Sequence, residues 1–353
     1  MTASRRELLE RLRLGATLLP VFAFAPRSLL QSLLFEPEGA TVAAKPLPAN
    51  PYTRDGKSLV ALVHGHDPDA MLAASMELLG GIDRIGVANK RVLIKPNVVN
   101  DRPSPSTTSP ETLAAVIRLV RHAGAREVVV ADSSGMLRFP TRDNLAATGI
   151  RAAAESAGAT VLALEEEPWV AVEPERASYS RRYFISKPVY EADVFINLPV
   201  VKTHRFAHYS CSLKNLVGIV HPRNRPSIGF LGGHWHERIA ELNLAVHPQL
   251  TIADGRTIMI AGGPTSGTPA AANVLLASGD RVALDAVALA LIRSYGAWDK
   301  VRGRSLWEQR QIAHAIALGL GARGAAEMEL VTRSVEGGGT EWSRLESAIR
   351  KDL

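Results

Sequence analysis

Cysteine is almost absent from this 353-residue chain, which contains only Cys211. A single cysteine cannot form an intrachain disulfide, and it cannot hold an iron–sulfur cluster or a cysteine-rich zinc site within one chain. Cys211 lies beside Ser210, Ser212 and Lys214, a setting compatible with a reactive thiol. A small core-facing residue is the favoured interpretation, because free cysteine is among the most buried residue types.

Aromatic residues are also few, at 5%, and no run of five or more Lys or Arg occurs. The formal net charge of +6 would suit nucleic acid, anionic lipid or an acidic substrate. Because basic runs, stacking aromatics and the common nucleic-acid motifs are lacking, the sequence predicts no nucleic-acid partner. Hydrophobic residues at 46% and charged residues at 22% are typical of a globular protein with a substantial core.

The first 45 residues carry a candidate export signal. Residues 4–9, SRRELL, resemble the twin-arginine motif, and a mostly apolar stretch follows at residues 14–25. We therefore predict export by the twin-arginine route, to the periplasm or to a membrane surface. The alternative is a retained amphipathic helix, cytoplasmic or docked on a membrane or partner, because leucines recur there at helical spacing. Residues 46–57 are predicted to be a linker, because they contain the turn-forming residues Pro46, Pro48, Asn50, Pro51, Asp55 and Gly56.

Residues 58–353 are predicted to form one elaborated α/β domain. Apolar runs alternate with amphipathic or alanine-rich segments, which is typical of a mainly parallel sheet with helices on both faces, in Rossmann-like layers. The predicted helices span residues 110–123, 144–157, 236–246, 281–295 and 306–318. The predicted strands begin at Leu59, Arg91, Glu127, Thr160, Asp193, Leu250 and Asn273.

Polar side chains follow most of these strands at the point where each strand ends. Because the carboxyl ends of parallel strands meet at the same edge of a sheet, we expect these groups to share one ligand site. The richest segment is residues 193–218, where an apolar strand is followed by lysine, histidine and serine residues. The strand ends are His64-Gly65-His66, Lys95-Pro96-Asn97, Asp132-Ser133-Ser134-Gly135, Lys202-Thr203-His204, Asp254-Gly255 and Ser278-Gly279-Asp280.

Lysines and hydroxyl groups at these ends favour a small anionic ligand that carries phosphate or carboxylate. Lys95 precedes a hydroxyl-rich loop and a predicted helix start, which together suit an anion; a structural lysine beside a helix cap is the alternative. Residues 221–226, HPRNRP, are predicted to be a mobile loop whose arginines close over the ligand, or a solvated surface loop. We predict His204, Lys202 and Asp132 as catalytic residues. The predicted ligand-binding residues are Lys95, Asn97, Ser133, Ser134, Thr203, Lys214, Asn215 and Asp254.

A divalent metal is a second hypothesis for this region. Six of the ten histidines lie between His204 and His247. If the segment after His204 is helical, His204 and His208 share one helix face, and with His236 they could bind one metal ion. The motif H-E-x-x-H is absent, so these histidines are otherwise hydrogen-bond donors, acid/base groups or structural residues.

The motifs of the body together resemble the family called domain of unknown function 362 (DUF362). The resemblance rests on VLIKPNVV at residues 92–99, ADVFINLPVVKTH at 192–204, SLKNLVG at 212–218 and LTIADG at 250–255. Some members carry ferredoxin-type iron–sulfur modules, which one cysteine cannot hold here. The pattern is also distantly similar to the lactate racemase-like family, whose nickel pincer chemistry is not transferred. The DUF362 resemblance implies an α/β fold and a ligand site at Lys95, Asn97, Asp132, Lys202, His204, Lys214 and Asn215, with no assigned activity.

Three functional classes are consistent with the sequence. The first is an enzyme that acts on a small anionic substrate at the strand-end rim, with or without a metal. The second is an exported binding protein that holds a metal or an organic anion without turnover. The third is a partner subunit of a membrane complex, docked through residues 1–40. The sequence does not specify an oligomeric state.

Overall fold

The computed structural model of the chain describes residues 37–228 and 233–353. The twin-arginine-like motif at residues 4–9 and the apolar stretch at residues 14–25 lie outside the described residues, so export stays a prediction. In the two described ranges, no helix is both long enough and apolar enough to cross a membrane.

Most strands in these ranges are short, and the central ones are apolar and buried, as expected for a sheet that is covered on both faces. They are β1 (Ala40–Val42), β2 (Thr53–Arg54), β3 (Lys57–His64), β4 (Arg91–Pro96), β5 (Glu127–Asp132), β6 (Thr160–Ala163), β7 (Trp169–Val172), β8 (Tyr183–Ser186), β9 (Val194–Leu198), β10 (Val200–His204), β11 (His208–Ser210), β12 (Leu250–Gly262), β13 (Gly267–Ser278) and β14 (Met328–Ser334).

Several helices begin at a recognisable cap. The side chains of Asp67, Ser109 and Asp280 accept backbone N–H groups in the first turns of three of the long helices. The helices are α1 (Pro68–Leu79), α2 (Pro110–His122), α3 (Thr141–Ala147), α4 (Ile150–Ser156), α5 (Lys187–Tyr190), α6 (Ser212–Asn215), α7 (Arg225–Ile228), α8 (Trp235–Leu242), α9 (Arg281–Ser294), α10 (Arg310–Ala317) and α11 (Thr340–Asp352).

Most strands form one large sheet in the order β14, β3, β13, β12, β9, β4, β5, β6. Neighbours in this order are parallel except at β13, which is antiparallel to both β12 and β3. Strands β1, β7 and β8 form a separate small sheet. The predicted α/β fold with a mainly parallel sheet is therefore confirmed.

The direction of β13 corrects one expectation. Because β12 and β13 form a hairpin, β13 returns antiparallel and ends at the opposite edge of the sheet. Its last residues pair near the start of β3, and Ser58 Oγ donates a 2.7 Å hydrogen bond to Asp280. The Ser278-Gly279-Asp280 segment therefore does not join the other strand ends, and Asp280 instead caps α9.

The strand predicted to start at Asp193 is two strands, β9 and β10, separated by Pro199. Proline has no N–H to donate, so it interrupts the ladder. After the break β10 pairs with a more distant part of β12, with Lys202 opposite Met259. Because of this shift, Lys202 and His204 lie beyond the end of β9, at the edge of the sheet where β4 and β5 end.

Other boundaries also differ from the sequence predictions. The helix predicted over residues 144–157 is split into α3 and α4, because Gly149 is left-handed with φ 76°. Part of the segment predicted as a linker packs on the body, since Tyr52 is fully buried and β2 pairs with β3. Cys211 lies in the core, and burial raises the pKa of its thiol well above the usual range, which fits the core-facing interpretation.

Candidate functional site

A small cavity lies where the carboxyl ends of β4 and β5 meet β10. Its volume is about 60 Å³. It brings together end groups of these three strands from Lys95 to His204, which are 109 residues apart in the sequence. We call it the strand-end pocket. Its polar lining side chains are Lys95, Asn97, Asp132, Ser133, Lys202, His204, Ser210, Lys214, Asn215 and Arg225.

A larger cavity, of about 670 Å³, lies at the opposite edge of the sheet. The charged side chains in its wall already have partners. Asp280 accepts hydrogen bonds from Ser58 and the start of α9, and Arg84 and Arg281 donate to backbone carbonyls. Glu327 pairs with Arg323. The strand-end pocket is smaller, but more of its polar groups are available to bind a ligand.

Lys95 and Asp132 form a buried ion pair in the wall of the pocket. Nζ lies 2.6 Å from Oδ1, and the side chains are 1% and 2% exposed. Asp132 also accepts the backbone N–H groups of Val98, at 2.6 Å, and Ser133, at 2.8 Å. Burial raises the pKa of Asp132 and lowers that of Lys95, while their mutual attraction opposes both shifts. Three donors on one carboxylate favour its ionised form. The negative charge of Asp132 therefore balances the positive charge of Lys95.

A chain of amides links this ion pair to Lys202. Asn215 Oδ1 accepts from Lys95 at 3.3 Å and from Asn97 Nδ2 at 3.0 Å, and Asn215 Nδ2 donates to Asn197 at 2.8 Å. The side-chain amide oxygen of Asn97 in turn accepts a hydrogen bond from Lys202 Nζ. The amide oxygens of Asn215 and Asn97 therefore each accept from a lysine, and this fixes the orientation of these two amide groups.

Lys202 is 1% exposed, and the described residues give its ammonium no carboxylate partner within ion-pair distance. Its Nζ donates to Asn97 Oδ1 and to the backbone oxygen of Ser106. Burial, followed by repulsion from Lys214, lowers the pKa of Lys202 from 10.5 to about 7. Two of the three hydrogens of the ammonium group therefore have acceptors among the described residues.

Lys214 is the least engaged cation in the pocket. It lies on α6 and is half-buried. Its Nζ lies 5.5 Å from the ring centroid of Trp235, and within the described ranges it has no hydrogen bond or ion pair. Burial, then repulsion from Arg225 and Lys95, lowers the pKa of Lys214 from 10.5 to about 7. An anion placed here would supply the missing partner.

Arg225 adds a further buried positive charge. The sequence placed it in a loop, whereas here it starts the short helix α7 and is 6% exposed. Its guanidinium donates to the backbone oxygens of Val220 (2.8 Å), Gly218 (3.1 Å) and Ser134. Burial lowers its pKa to about 10, so it remains charged at neutral pH. Arg225 therefore adds positive electrostatic potential to the pocket, while its N–H groups hold the surrounding backbone by hydrogen bonds.

His204 presents a neutral imidazole. Its Nδ1 accepts the backbone N–H groups of Phe206, at 3.2 Å, and Ala207, at 3.1 Å. A nitrogen that accepts carries no proton, so the hydrogen of the neutral ring is on Nε2. Burial and the nearby Lys214 and Lys202 lower the pKa of His204 well below 6.5. The ring is therefore an uncharged hydrogen-bond donor in the wall of the pocket.

The pocket as a whole has an excess of positive charge. Among the described residues that line it, four are cationic (Lys95, Lys202, Lys214 and Arg225) and one, Asp132, is a carboxylate. Desolvated like charges repel strongly, and this repulsion contributes to lowering the pKa of both Lys202 and Lys214 toward 7. A bound anion would relieve that repulsion and restore both lysines to their charged forms.

Not all predicted residues lie in this pocket. Ser133 does, and its buried hydroxyl has no hydrogen-bond partner in the described structure. Ser134 and Thr203 are buried outside the lining, and Ser134 Oγ donates to Val98 O. Asp254 is also outside, because its carboxylate accepts the N–H of Ser109 at the start of α2. These last three residues are not among those that line the pocket.

The described residues do not bring the three predicted metal ligands together as one group. The segment after His204 is a tight turn into β11 rather than a helix, so His204 and His208 face each other across a hairpin. His208 packs its ring on His236, with 4.5 Å between centroids, and His204 Nδ1 is already an acceptor. No group of three His, Cys, Asp or Glu residues in the described ranges is arranged to hold a metal ion.

Two supporting residues were missed by the sequence analysis. Gly218 packs directly on the Lys95–Asp132 pair, where an added Cβ would lie 2.3 Å from Asp132 Oδ1. Asp285, on α9, accepts the N–H groups of Ser212 (2.7 Å) and Leu213 (3.3 Å) at the start of α6. Both depend on contacts between distant segments, which local patterns do not report.

Comparisons with known proteins place these residues in a family. The family described as Domain of unknown function (DUF362) matches residues 92–290, which include all ten polar lining residues of the pocket. The chain is 31% identical over 229 residues to the Thylakoid-associated protein sll1697 of Synechocystis sp., covering 62% of this chain and 68% of that protein.

A solved structure gives a weaker likeness. The lactate racemase apoprotein from Thermoanaerobacterium thermosaccharolyticum aligns over 83% of this chain and 87% of its own, with 10% identity and a TM-score of 0.39. At that level of similarity nothing is transferred from it to this chain.

Proposed function

Because the chain belongs to the DUF362 family, a domain of unknown function, we propose its function from the pocket: it binds a small phosphate- or carboxylate-bearing molecule and acts on it as an enzyme. The observation that supports this most directly is Lys214, a cation that faces the pocket without a hydrogen bond or ion pair from the described residues. A desolvated charge needs a partner, and a bound anion would supply the one that the described residues do not.

The proposed roles follow from the contacts of each side chain. Lys214 and Lys202 bind the anionic group, and the Ser133 hydroxyl and His204 Nε2–H donate hydrogen bonds to its oxygens. With a pKa of about 7, Lys202 is also suited to exchange a proton with the substrate near neutral pH. The Lys95–Asp132 pair holds the amides that orient Lys202.

Calorimetric titration with sulfate tests the binding step, because sulfate keeps its charge across neutral pH. Lys214→Met should reduce the affinity at least tenfold, since it removes the least engaged cation. Lys57→Met is the matched control, because Lys57 is exposed at the amino end of β3. Equal sulfate affinity in the parent and in Lys214→Met would refute the anion pocket.

Turnover is tested separately. The parent is incubated with a panel of phosphorylated and carboxylated metabolites, and product formation is followed by NMR. Lys202→Met should abolish any conversion that Lys57→Met retains. Sulfate binding without conversion of any compound would favour a non-catalytic binding protein.

We also propose that the chain is exported or held at a membrane. The support is the SRRELL motif at residues 4–9 and the name of the thylakoid-associated relative. Arg5→Lys with Arg6→Lys should retain the protein in the cytoplasm, while Arg11→Lys with Arg13→Lys preserves the pair and serves as the control. Unchanged fractionation of the first variant would contradict twin-arginine export.

A further inference from the structure

The size of the strand-end pocket limits which part of a ligand can enter it. A cavity of about 60 Å³ has room for about four to six water molecules, because one water needs roughly 10–15 Å³ of space accessible to its centre. That space fits one phosphate or carboxylate group and little else. The remainder of any larger ligand must therefore lie outside, at the mouth of the pocket.

Three exposed apolar side chains lie beside residues that line the pocket. In the described ranges five large hydrophobic residues are exposed, and three of them adjoin the pocket lining: Leu137 at 76%, Phe139 at 38% and Phe206 at 58%. The Arg225 guanidinium lies 5.9 Å from the Phe139 ring centroid. The ring of Phe206 is centred 6.3 Å from that of His204. Both residues therefore flank groups that line the cavity.

Leu137 is the least expected of the three. It follows Gly135 of the pocket wall by two residues, and its backbone is left-handed with φ 65°. That conformation is unfavourable for a leucine, and an exposed side chain gains little packing in return. Such strain in a loop beside a binding pocket is typical of a functional contact.

We infer that the ligand is an amphiphilic anion, whose acidic head enters the strand-end pocket while an apolar chain or ring lies against Leu137, Phe139 and Phe206. This inference rests on the proposed function and narrows its substrate class. Charge complementarity fixes the head group, and the small cavity forces the apolar part onto the rim.

A series of n-alkyl phosphates tests the inference. Calorimetry compares inorganic phosphate with methyl, butyl and hexyl phosphate, all as dispersed monomers. Each methylene that the rim covers should tighten binding about two- to fourfold, so hexyl phosphate should bind at least about 30-fold more tightly than methyl phosphate. Leu137→Asn, which suits the left-handed backbone, and Phe206→Ser should each reduce this gain.

Leu47→Ser is the control, because Leu47 is 42% exposed in the wall of the larger cavity at the opposite edge. It should keep the full gain with chain length. Equal affinity for methyl and hexyl phosphate would overturn the inference while leaving the anion pocket intact. Failure of inorganic phosphate and sulfate to bind would instead remove the proposed function itself.

A lipid surface is distinguished with vesicles of phosphatidylcholine, with and without phosphatidic acid. Retention of the alkyl chain-length effect, with no vesicle binding, supports a dispersed amphiphile. Vesicle binding that depends on Leu137, without any gain for hexyl phosphate, would overturn the inference in favour of a membrane surface.

Discussion

Gly218 lies so close to Asp132 that a Cβ on the glycine would stand 2.3 Å from Oδ1 of the carboxylate and 2.7 Å from Lys95 Nζ. Gly218→Ala should therefore displace the buried ion pair, because the new methyl group would overlap with atoms of both charged side chains. We expect a loss of about 1–3 kcal/mol in the free energy of unfolding, measured by urea denaturation.

Gly324→Ala is the matched control, since no atom lies within 4 Å of a Cβ at that position. It should unfold like the parent. Equal stability of Gly218→Ala and Gly324→Ala would mean that the backbone of Gly218 does not confine the ion pair. Sulfate titration of Gly218→Ala then reports whether the pocket also loses its shape.

The Lys95–Asp132 pair should behave as a unit. Asp132→Asn leaves a buried ammonium without its counter-charge, so we expect a loss of about 3–5 kcal/mol in unfolding free energy. Adding Lys95→Met should recover part of that loss, because the double variant buries no unpaired charge. Strictly additive losses in the double-mutant cycle would contradict a direct coupling between the two residues.

The fold could be predicted from the sequence because its central strands have recognisable local sequence patterns. Runs such as those of β4 and β5 are apolar, short and followed by polar residues, and the structure places them side by side and parallel. The direction of β13 was not accessible in this way. A strand pattern does not say whether a hairpin or a crossover precedes it, and that choice moved Asp280 to the opposite edge.

The site residues could be predicted from the sequence where they lie at the ends of strands. Lys95, Asp132, Lys202 and His204 follow strands and line one cavity. Side-chain direction was not accessible: Thr203 sits between two lining residues but is buried on the other side of β10, because neighbours in a strand alternate faces. The roles of Gly218 and Asp285 needed the three-dimensional contacts themselves.

The two low-pKa lysines make a prediction about stability and pH. Burial lowers the pKa values of Lys202 and Lys214 from 10.5 to about 7 in the folded protein. Between these limits the unfolded chain binds protons that the folded protein has released, so unfolding free energy should rise with pH. Each lysine contributes at most about 1.4 kcal/mol per pH unit.

Urea denaturation at pH 7, 8 and 9 measures that slope. The double variant Lys202→Met with Lys214→Met should show a flatter profile than the parent, and Lys57→Met should not. A parent profile that matches the double variant would show that both lysines keep ordinary pKa values. Saturating sulfate should also flatten the parent profile, because an anion raises both pKa values.

Asp285 should act as a positioning residue for the pocket. It accepts two N–H groups at the start of α6, the helix that carries Lys214 and Asn215, and the hydroxyl of Tyr209 at 3.1 Å. Asp285→Asn offers one acceptor oxygen and turns an NH₂ group toward these donors. We expect a loss of about 1–3 kcal/mol in unfolding free energy.

Sulfate affinity separates positioning from simple stability in that variant. If Asp285 places α6, Asp285→Asn should weaken sulfate binding at temperatures where the protein remains folded. Asp299→Asn, at a side chain that is 91% exposed, serves as the control. Unchanged affinity in a destabilised Asp285→Asn protein would assign Asp285 to the core alone.

The tautomer of His204 can be observed directly. Because Nδ1 accepts two backbone N–H groups and the pKa lies well below 6.5, the ring should stay neutral with its proton on Nε2 from pH 5.5 to 8. Imidazole ¹⁵N shifts should show one protonated and one unprotonated nitrogen across that range, whereas an ordinary imidazole titrates near pH 6.5. His204→Ala identifies the signal by its loss. A His204 signal that titrates near pH 6.5 would contradict the neutral-donor role, and it would make His204 available as an imidazolium acid instead.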